Sequence, residues 1–452
     1  MLYTDYQKAE LPWVATIPSH WQQIRNGGIF DYHQDKVGEN YASFQLLSLT
    51  TSGIKSKDIH DATGKVPASY EGYQVVKPGD MVFCLFDLDC SAVFSGLSVH
   101  YGMITSAYEV MTPKAKIVNP RYLDYWFRSV FQGRYYKIFS KSVRYTINYD
   151  IFKALKTPVP PKDEQDQIVR YLDWKISDIN KLIHGYQREI KLLEERKMTI
   201  VNRIVQNGIN PNAKTKESGI EYIGRIPEHW TVLLNHRIFK SMSRKFNGNE
   251  TVLSLSQKDG LIPYEEMTER SLHTASYDNW QLVLPNDLVL NRFKAHLGVF
   301  FASRYRGIVT FHYGVYEPKM PMITKFYETL YHTPVYRRVY AGQSKGMTVG
   351  LQNLSDTDFY AVYTVYLPID EQIEIVKKIE KRETEYLEAK HKIDKQIELL
   401  NEYRTRLIFD VVTGQMDVRG IEIPDYVPEE DIAEENPAED GSADEEVDMN
   451  AD

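Results

Sequence analysis

The feature that most constrains this chain is a long internal duplication, which is sought before any local motif. The segment Ile17–Trp21 (IPSHW) recurs as Ile226–Trp230 (IPEHW), and Pro161–Gln165 (PKDEQ) recurs as Pro368–Gln372 (PIDEQ). Three further matches occur in the same order, and the members of every pair are separated by 206 to 209 positions. This period is far longer than the ~20–50 residues of a solenoid unit. The sequence therefore predicts two copies of one composite module.

Each copy begins with a globular part that we predict to be mixed α/β. Short apolar runs such as Met81–Phe86 and Leu288–Leu290 follow Pro-Gly-Asp or Pro-Asn-Asp turns, which is typical of buried strands. The globular parts are assigned to residues 1–159 and 226–367. Between the matching segments the two copies differ greatly. Two explanations remain open: a shared scaffold that carries two different recognition surfaces, or simple drift after duplication.

Each copy continues with a long amphipathic helix. Apolar residues recur at alternating steps of three and four positions, which is the heptad pattern of a coiled coil. Proline precedes each helix, acidic residues occupy its first turn, and Gly208 or Gly414 ends it. The helices are predicted at 160–208 and 368–414, which gives each a length of ~60 Å. The predicted coiled-coil positions are Ile168, Leu172, Ile176, Ile179, Ile183, Ile190, Leu193, Ile200, Ile375, Ile379, Ile393, Ile397, Leu400 and Leu407.

The chain supplies two such helices, and we expect them to pack against each other as an antiparallel coiled coil. The two globular domains would then lie at opposite ends of a shared rod, with pseudo-two-fold symmetry. A parallel pair would require the chain to travel back ~60 Å, which is less economical. The predicted fold class is therefore α/β (mixed α+β), with two globular domains separated by two long helices. The remaining segments are a linker at 209–225 and a C-terminal extension at 415–452.

Charge is distributed unevenly along the chain. The formal net charge is −8 at pH 7, but residues 425–452 contain 13 Asp or Glu and no Lys or Arg. Without that segment, 54 basic residues stand against 49 acidic ones. The acidic segment has few apolar residues and is predicted to be a disordered tail. The rest of the chain is mildly basic, which is compatible with a nucleic-acid partner without being diagnostic of one.

Composition argues against several protein classes. No run approaches the ~18 consecutive apolar residues of a membrane span, and the N-terminal sequence has no secretory pattern. Cys84 and Cys90 are the only cysteines, so neither a disulfide framework nor a zinc site is expected. We therefore expect a cytoplasmic protein with no bound metal and no cofactor.

The repeated motifs resemble those of a known family. The segment Gly219–Trp230 (GIEYIGRIPEHW) resembles the opening of a target-recognition domain in type I restriction-modification specificity subunits. The Pro-x-x-Glu-Gln-x-x-Ile pattern at Pro161–Ile168 and Pro368–Ile375 resembles the start of that family's helical regions. The resemblance extends over about residues 17–420, with both copies in register.

The resemblance implies a function and a set of partners. A specificity subunit would bind double-stranded DNA at an asymmetric bipartite site, with one half-site for each target-recognition domain. Its helices would dock two adenine methyltransferase subunits, and ATP-dependent restriction and translocase subunits would join that core. The repeated His-Trp pairs at 20–21 and 229–230 would belong to the scaffold rather than to a ligand site. The first copy departs from the pattern at Trp13–Thr16, where the second has Tyr222–Arg225, which leaves the packing of the N-terminus open.

The motifs of those partner enzymes are absent from this sequence. It contains no GxxxxGK[ST] phosphate loop, no [ND]PPY segment and no HExxH zinc helix. Asp87 and Asp89 follow an apolar run, but no lysine stands at nuclease-like spacing, so a solvated strand end is favoured over catalysis. We expect a non-catalytic subunit without catalytic residues. Two alternatives remain: a fused restriction and methylation enzyme with its own catalysis, and a structural spacer protein that does not bind DNA.

Candidate DNA contacts fall in basic and aromatic stretches of both copies. Residues 121–156 contain eight Lys or Arg interleaved with tyrosines; cations neutralise phosphates, while arginine and aromatic groups meet base edges. Ser140–Tyr145 resembles Gln343–Thr348 of the second copy. Aromatic residues with helical spacing, such as Tyr122 and Trp126, are instead expected in the core. The predicted DNA-facing residues are Arg121, Arg134, Lys137, Lys141, Arg144, Tyr145, Arg292, Lys294, Ser344 and Lys345.

Overall fold

The structure is a computed structural model that describes residues 2–51, 53–58, 69–143, 145–246, 248–256, 260–267, 277, 279–344 and 353–429. Contacts among these residues divide the chain into two compact units. Unit 1 combines residues 2–188 with 393–429, and unit 2 is the described part of 189–392. Each copy of the module therefore places its globular part in one unit, while its long helix contributes to both.

Unit 1 is built from short strands and a few helices. Its strands are β1 (Tyr6–Leu11), β2 (Val14–Pro18), β3 (Gln22–Arg25), β4 (Phe30–His33), β5 (Leu46–Thr50), β6 (Gly53–Lys57), β7 (Gln74–Val76), β8 (Met81–Phe83), β9 (Ser95–Leu97), β10 (Gly102–Ile104), β11 (Glu109–Pro113) and β12 (Lys156–Val159). Its helices are α1 (Asn26–Ile29), α2 (Pro120–Gln132), α3 (Tyr149–Ala154) and the first part of α4 (Lys162–Asn207). Two four-stranded sheets have the orders β6–β5–β10–β7 and β4–β11–β8–β9, and β3 pairs with β12.

Helix α2 lies across the core of unit 1. The Asn119 side chain accepts a hydrogen bond from the Arg121 backbone N–H, and Pro120 occupies the first helical position, so both local signals for a helix start are present. Tyr122 and Trp126 are fully buried, as their helical spacing predicts. They join Phe83 and Phe127 in one aromatic core, which removes large apolar surfaces from water.

Unit 2 repeats most of this order of elements. Its strands are β13 (Thr215–Glu217), β14 (Arg225–Pro227), β15 (Thr231–Leu234), β16 (Phe239–Ser241), β17 (Leu253–Ser256), β18 (Gly260–Pro263), β19 (Gln281–Val283), β20 (Leu288–Asn291), β21 (Phe300–Ala302), β22 (Gly307–Val309), β23 (Tyr313–Pro318) and β24 (Tyr363–Tyr366). Its helices are α5 (Asn235–Ile238), α6 (Thr324–Tyr331), α7 (Pro334–Gln343), α8 (Asp356–Tyr360) and the first part of α9 (Ile369–Val412). The sheet β16–β23–β20–β21 matches β4–β11–β8–β9, and the pair β15–β24 matches β3–β12. The mixed α/β class and the two predicted long helices, α4 and α9, are therefore confirmed.

The long helices run antiparallel in each unit. In unit 1, Tyr171 of α4 lies near Met416 after α9, whereas Asn180, further along α4, accepts a hydrogen bond of 3.2 Å from Arg404. In unit 2, Lys197 Nζ lies 3.2 Å from Glu383 Oε1, and Gly208, just after α4, lies beside Glu371 at the start of α9. The residue numbers thus rise along one helix as they fall along the other. This is the packing expected for two helices with apolar seams.

The predicted heptad positions differ in how completely they are covered. The buried ones are Ile168, Leu172, Ile179, Ile183, Ile375, Ile379, Ile393 and Leu407. The half-buried ones are Ile176, Ile190, Leu193, Ile200, Ile397 and Leu400. Several other apolar side chains of the helices are exposed, including Leu192, Leu387 and Tyr403. No helix of the described residues is both long and apolar enough to cross a membrane.

After α9 the chain continues along α4 of unit 1. This C-terminal strap, which we define as residues 418–429, is held by polar side chains of α4. Gln167 donates to the backbone oxygens of Val418 and Ile421, Ser177 accepts from the Glu429 backbone N–H at 2.8 Å, and His184 Nδ1 lies 2.7 Å from Glu429 Oε1. Composition predicts disorder from residue 425 onward, whereas residues 425–429 are held on the helix by these bonds. The remainder of the acidic tail, residues 430–452, lies outside the described part of the chain.

Candidate nucleic-acid interface

The repeated His-Trp pairs are built into the scaffold of both units. In unit 1, the Trp21 indole N–H donates to Glu164 Oε1 at 2.9 Å, and His20 Nε2 lies 2.7 Å from Glu164 Oε2. Tyr3 adds a third contact, because its hydroxyl donates to Glu164 Oε1 at 2.6 Å. Burial and this bond to a carboxylate raise the pKa of the Tyr3 phenol. The glutamate of the Pro-x-x-Glu-Gln motif therefore joins the start of α4 to the entry of the module.

Unit 2 contains the same arrangement without the tyrosine. The Trp230 indole N–H donates to Glu371 Oε2 at 3.1 Å, and His229 Nε2 lies 2.7 Å from the same oxygen. The Glu371 side chain is 22% exposed, whereas that of Glu164 is 5% exposed. Since these pairs have partners inside the scaffold, their repetition is explained by packing.

The glutamine of the motif has an equally specific structural role. Gln165 accepts a hydrogen bond from the Asn119 backbone N–H at 2.6 Å and donates to the Pro160 carbonyl at 2.8 Å. Gln372 accepts from the Ile323 backbone N–H at 2.9 Å and donates to the Leu367 carbonyl at 2.8 Å. Each glutamine lies in the first turn of a long helix. It thus connects the end of the last strand of its globular part to the loop before α2 or α6, which fixes the globular part on the long helix.

A repeated buried asparagine was missed in the sequence. Asn26 donates to the Phe152 carbonyl at 3.0 Å and accepts from the Thr157 hydroxyl at 2.8 Å. Asn235 donates to the Phe359 carbonyl at 3.0 Å and accepts from the Tyr331 hydroxyl at 2.8 Å. Their separation equals that of the two His-Trp pairs, so the duplication itself could have revealed them.

In unit 1, a short loop carries Lys141, an exposed member of the predicted DNA-facing set. Hydrogen bonds within the loop shape residues 140–146: the Ser140 hydroxyl donates to the Thr146 carbonyl at 2.9 Å, and the Thr146 N–H donates to the Ser142 hydroxyl at 2.8 Å. Lys141 is exposed, and Val143 is 97% exposed. Arg144, which was also predicted to face DNA, lies outside the described residues.

The other predicted residues of unit 1 have partners within the protein. Arg134 donates to the carbonyls of Leu88 (3.3 Å) and Ser91 (2.8 Å), and its guanidinium lies 4.2 Å from the Phe131 ring. Arg121 forms an ion pair of 3.1 Å with Asp173 of α4. Because each guanidinium already contacts acceptors within the protein, fewer of its N–H groups remain to bind a phosphate.

Lys137 and Tyr145 pair with each other beside that loop. The Lys137 ammonium lies 4.3 Å from the centre of the Tyr145 ring, which is a cation–π contact. Tyr145 has a φ of 45°, in the left-handed region that residues with a side chain rarely adopt. Its carbonyl accepts a hydrogen bond from the Leu88 N–H at 3.3 Å, which ties the 140–146 loop to the loop after β8.

In unit 2, the predicted residues occupy two neighbouring segments. Arg292 forms an ion pair of 2.5 Å with Asp356; burial alone would lower the pKa of Arg292, but Tyr316 and Asp356 raise it overall. Ser344 closes α7 by donating to the Tyr340 carbonyl at 2.8 Å. Lys294 is half-exposed within the 3₁₀ helix 292–297. Lys345 lies outside the described residues.

The two units place these segments in equivalent positions. In unit 1 the Ile147 N–H donates to the Leu85 carbonyl at 2.9 Å, and in unit 2 the Leu354 N–H donates to the Arg292 carbonyl at 3.0 Å. Each bond joins the segment just before a short helix, α3 in unit 1 or α8 in unit 2, to the segment that follows a strand, β8 in unit 1 or β20 in unit 2. A common backbone frame thus presents different side chains in each unit.

The described residues show no arrangement typical of a metal site. No group of three or more His, Cys, Asp or Glu side chains among them could hold a metal ion. Cys84 is buried, and burial raises the pKa of its thiol. Asp89 is exposed in the turn at 88–90, whereas Asp87 is half-buried, so only one of the two carboxylates is fully solvated as expected. The basic side chains of the candidate interface can neutralise phosphates, and its aromatic and aliphatic side chains can contact bases.

Comparisons with known proteins give two kinds of similarity. No family model matches the chain. The type I restriction enzyme MjaVIII specificity subunit of Methanocaldococcus jannaschii is 23% identical over 295 residues, which cover 61% of this chain and 61% of that relative. The putative MjaX specificity subunit of the same organism is 27% identical over 256 residues, 52% of this chain and 56% of the relative. The matches thus span less than two thirds of the length of either relative.

A solved structure shares the fold. A chain from a structure that addresses complex assembly and conformational transition of the type I R-M system aligns with a TM-score of 0.61 at 13% identity, covering 88% of this chain and 99% of that chain. At this identity the alignment shows a shared fold and nothing about residue roles. The resemblance indicated by the sequence motifs is thus confirmed: the chain is similar in sequence to type I restriction enzyme specificity subunits and in fold to a chain of a type I R-M system.

Proposed function

We propose that this chain is the DNA-recognition subunit of a type I restriction-modification complex and binds an asymmetric bipartite site. The observation that carries this proposal is the repeated frame: the Glu, Gln and Asn contacts recur in both units, while the loops on that frame differ. Such a pair of related domains suits two half-sites of different sequence. The similarity to specificity subunits supports the same function.

We infer that catalysis resides in partner subunits. In this function α4 and α9 dock two adenine methyltransferase subunits, and ATP-dependent restriction subunits complete the complex. The exposed apolar side chains of the long helices, such as Leu192 and Leu387, support a protein-binding role. We propose a cytoplasmic location, because the DNA substrate would be there.

The proposal is tested by sequencing the methylome of cells that express this chain with an adenine methyltransferase encoded beside it. We expect N6-methyladenine in one asymmetric sequence with an unread gap. The chain expressed alone should leave the DNA unmethylated. Methylation by the chain alone would favour a fused enzyme, and a continuous palindromic site would contradict two different half-sites.

Replacing Lys141 with alanine is expected to weaken DNA binding without changing the sequence that is read. The exposed ammonium can neutralise one phosphate, so the slope of log K against log salt should fall by about 1. The measurement is a titration of labelled DNA at several salt concentrations. Lys8, an exposed lysine of β1, provides the matched Lys8→Ala control, which should leave the slope unchanged. An unchanged slope for Lys141→Ala would remove this residue from the interface.

Shortening both long helices by one heptad is expected to shorten the unread gap. Residues 192–198 of α4 and 382–388 of α9 include the paired Lys197 and Glu383, so their joint removal preserves the seam. Seven residues correspond to ~10 Å of helix, or about three base pairs. Methylome sequencing should show both half-sites unchanged and the gap reduced. An unchanged gap would mean that the helices do not set the spacing.

A further inference from the structure

Unit 2 exposes a small group of aromatic rings, which we call the aromatic cluster: Phe293, Phe311 and His312. Phe293 lies in the 3₁₀ helix 292–297, and the other two lie in the turn between β22 and β23. The His312 ring centroid is 3.9 Å from that of Phe311 and 5.7 Å from that of Phe293. Phe311 is 55% exposed and Phe293 is 40% exposed. These rings therefore present apolar surface to solvent.

The shared scaffold does not require this cluster. Val110 pairs with Val82 in unit 1 and Val315 pairs with Val289 in unit 2, so the β10–β11 turn corresponds to the β22–β23 turn. The residues of unit 1 at the positions of Phe311 and His312 are Ser106 and Ala107. The counterpart of Phe293 is Phe86, which stacks on Tyr108 with the ring planes 10° apart. Unit 1 thus forms the same turn without the exposed rings.

The cluster is held in place by the backbone around it. The Asn291 side chain accepts hydrogen bonds from the N–H groups of Phe293 (3.0 Å) and Lys294 (3.2 Å), which fixes the start of the 3₁₀ helix. Gly298 ends that helix with a φ of 79°. The Leu354 N–H is bonded to the Arg292 carbonyl, next to Phe293. The counterpart of this segment in unit 1 is the loop after β8, which is hydrogen-bonded to the 140–146 loop through Leu88 and Tyr145.

We propose that the aromatic cluster is a wedge that enters a groove of the DNA and partly unstacks one base step in the half-site of unit 2. The proposal rests on the proposed function. Rings of phenylalanine cannot donate or accept hydrogen bonds, so they recognise bases by insertion and stacking, which also favours easily deformed steps. Lys294, adjacent to Phe293, places a positive charge beside these rings, which favours DNA over an uncharged partner. Unit 1 has serine and alanine in the corresponding turn and distorts its own half-site less.

The test uses the full chain with its methyltransferase partner and duplexes of the sequence that methylome analysis identifies. The fluorescent base 2-aminopurine replaces one purine at a time in both half-sites, except at the methylated adenine, which the methyltransferase itself extrudes. The wild-type complex should raise the fluorescence several-fold at one step of one half-site. The variant Phe311→Ser/His312→Ala, which carries the residues of unit 1, should lose this signal and bind ~10-fold more weakly.

Three further variants separate the wedge from folding effects. Phe311→Trp retains an apolar ring and should keep the signal. Tyr101→Ser removes another exposed ring, which is 56% exposed and precedes β10, and should leave fluorescence and affinity unchanged. Phe293→Ser should weaken the fluorescence signal. All of these variants should keep the thermal unfolding temperature of the wild type, because the altered side chains are exposed.

Two results would overturn the wedge. One is a wild-type fluorescence pattern in Phe311→Ser/His312→Ala. The other is normal DNA binding by that variant together with loss of the methyltransferase, which would assign the cluster to a protein contact. If the wild-type complex shows no sequence-specific binding at all, the proposed function itself fails.

Discussion

Replacing Glu164 with alanine is expected to lower the free energy of unfolding of unit 1 by about 3 kcal/mol. The carboxylate accepts hydrogen bonds from the buried Trp21 indole and Tyr3 hydroxyl and contacts His20. Alanine leaves two buried donors without their acceptor, and each such loss costs roughly 1–3 kcal/mol. The measurement is chemical denaturation followed by tryptophan fluorescence, because Trp21 reports directly on this contact.

The duplication provides graded controls for this experiment. Glu371→Ala removes the equivalent carboxylate of unit 2, but its side chain is more exposed and lacks the tyrosine contact, so about half the loss is expected. Asp163→Ala, beside Glu164, removes an exposed first-turn acid and should cost well under 1 kcal/mol. Equal losses for Glu164→Ala and Asp163→Ala would show that the buried hydrogen bonds do not stabilise the unit.

Replacing Gly414 with alanine is expected to destabilise the protein by about 3 kcal/mol or more. A Cβ atom at this position would lie 2.2 Å from Pro18 Cδ and 2.5 Å from Pro18 Cγ. The proline ring is rigid, so the backbone after α9 would have to move away from the Trp21 cluster. The φ of Gly414 is 71°, which adds conformational strain for any residue with a side chain. Differential scanning calorimetry measures the loss.

Two other glycines separate the steric clash from the backbone strain. Gly219 has a φ of 78° but no neighbouring atom within 4 Å of its added Cβ, so Gly219→Ala should cost only about 1 kcal/mol. At Gly208 the added Cβ would lie 3.2 Å from Glu371 Oε1, a flexible side-chain end, so an intermediate loss is expected. If all three alanine variants lose equal stability, the contact between Gly414 and Pro18 has no part in the effect.

The architecture could be read from sequence because its signals are local and repeated. Apolar residues recur with heptad spacing along each long helix, so the pattern predicts α4 and α9 from their own residues. The duplication predicts similar elements in both units, and the sheet β4–β11–β8–β9 recurs as β16–β23–β20–β21. The strands of the sheet β6–β5–β10–β7, however, have counterparts in two separate pairs, β17–β18 and β19–β22. The resemblance to specificity subunits rests on the same repeated motifs.

The roles inside those motifs required the tertiary structure. Sequence identifies Glu164 and Gln165 as repeated, but only the fold brings them to Trp21 and Asn119 across long separations in the chain. Likewise, Arg134 is as basic as Lys141, yet the fold directs it to backbone carbonyls while Lys141 stays exposed.

The sequence by itself determined the duplicated module, its two long helices and the absence of recognisable catalytic motifs. Apolar periodicity and repeated motifs can be recognised from the order of the residues alone. The tertiary structure alone decided which loop side chains meet. The Phe293 and His312 rings meet only because strand pairing joins their segments. Contacts between distant residues depend on the register of strands that lie far apart in the chain, and that register is fixed only when the strands pair in the folded protein.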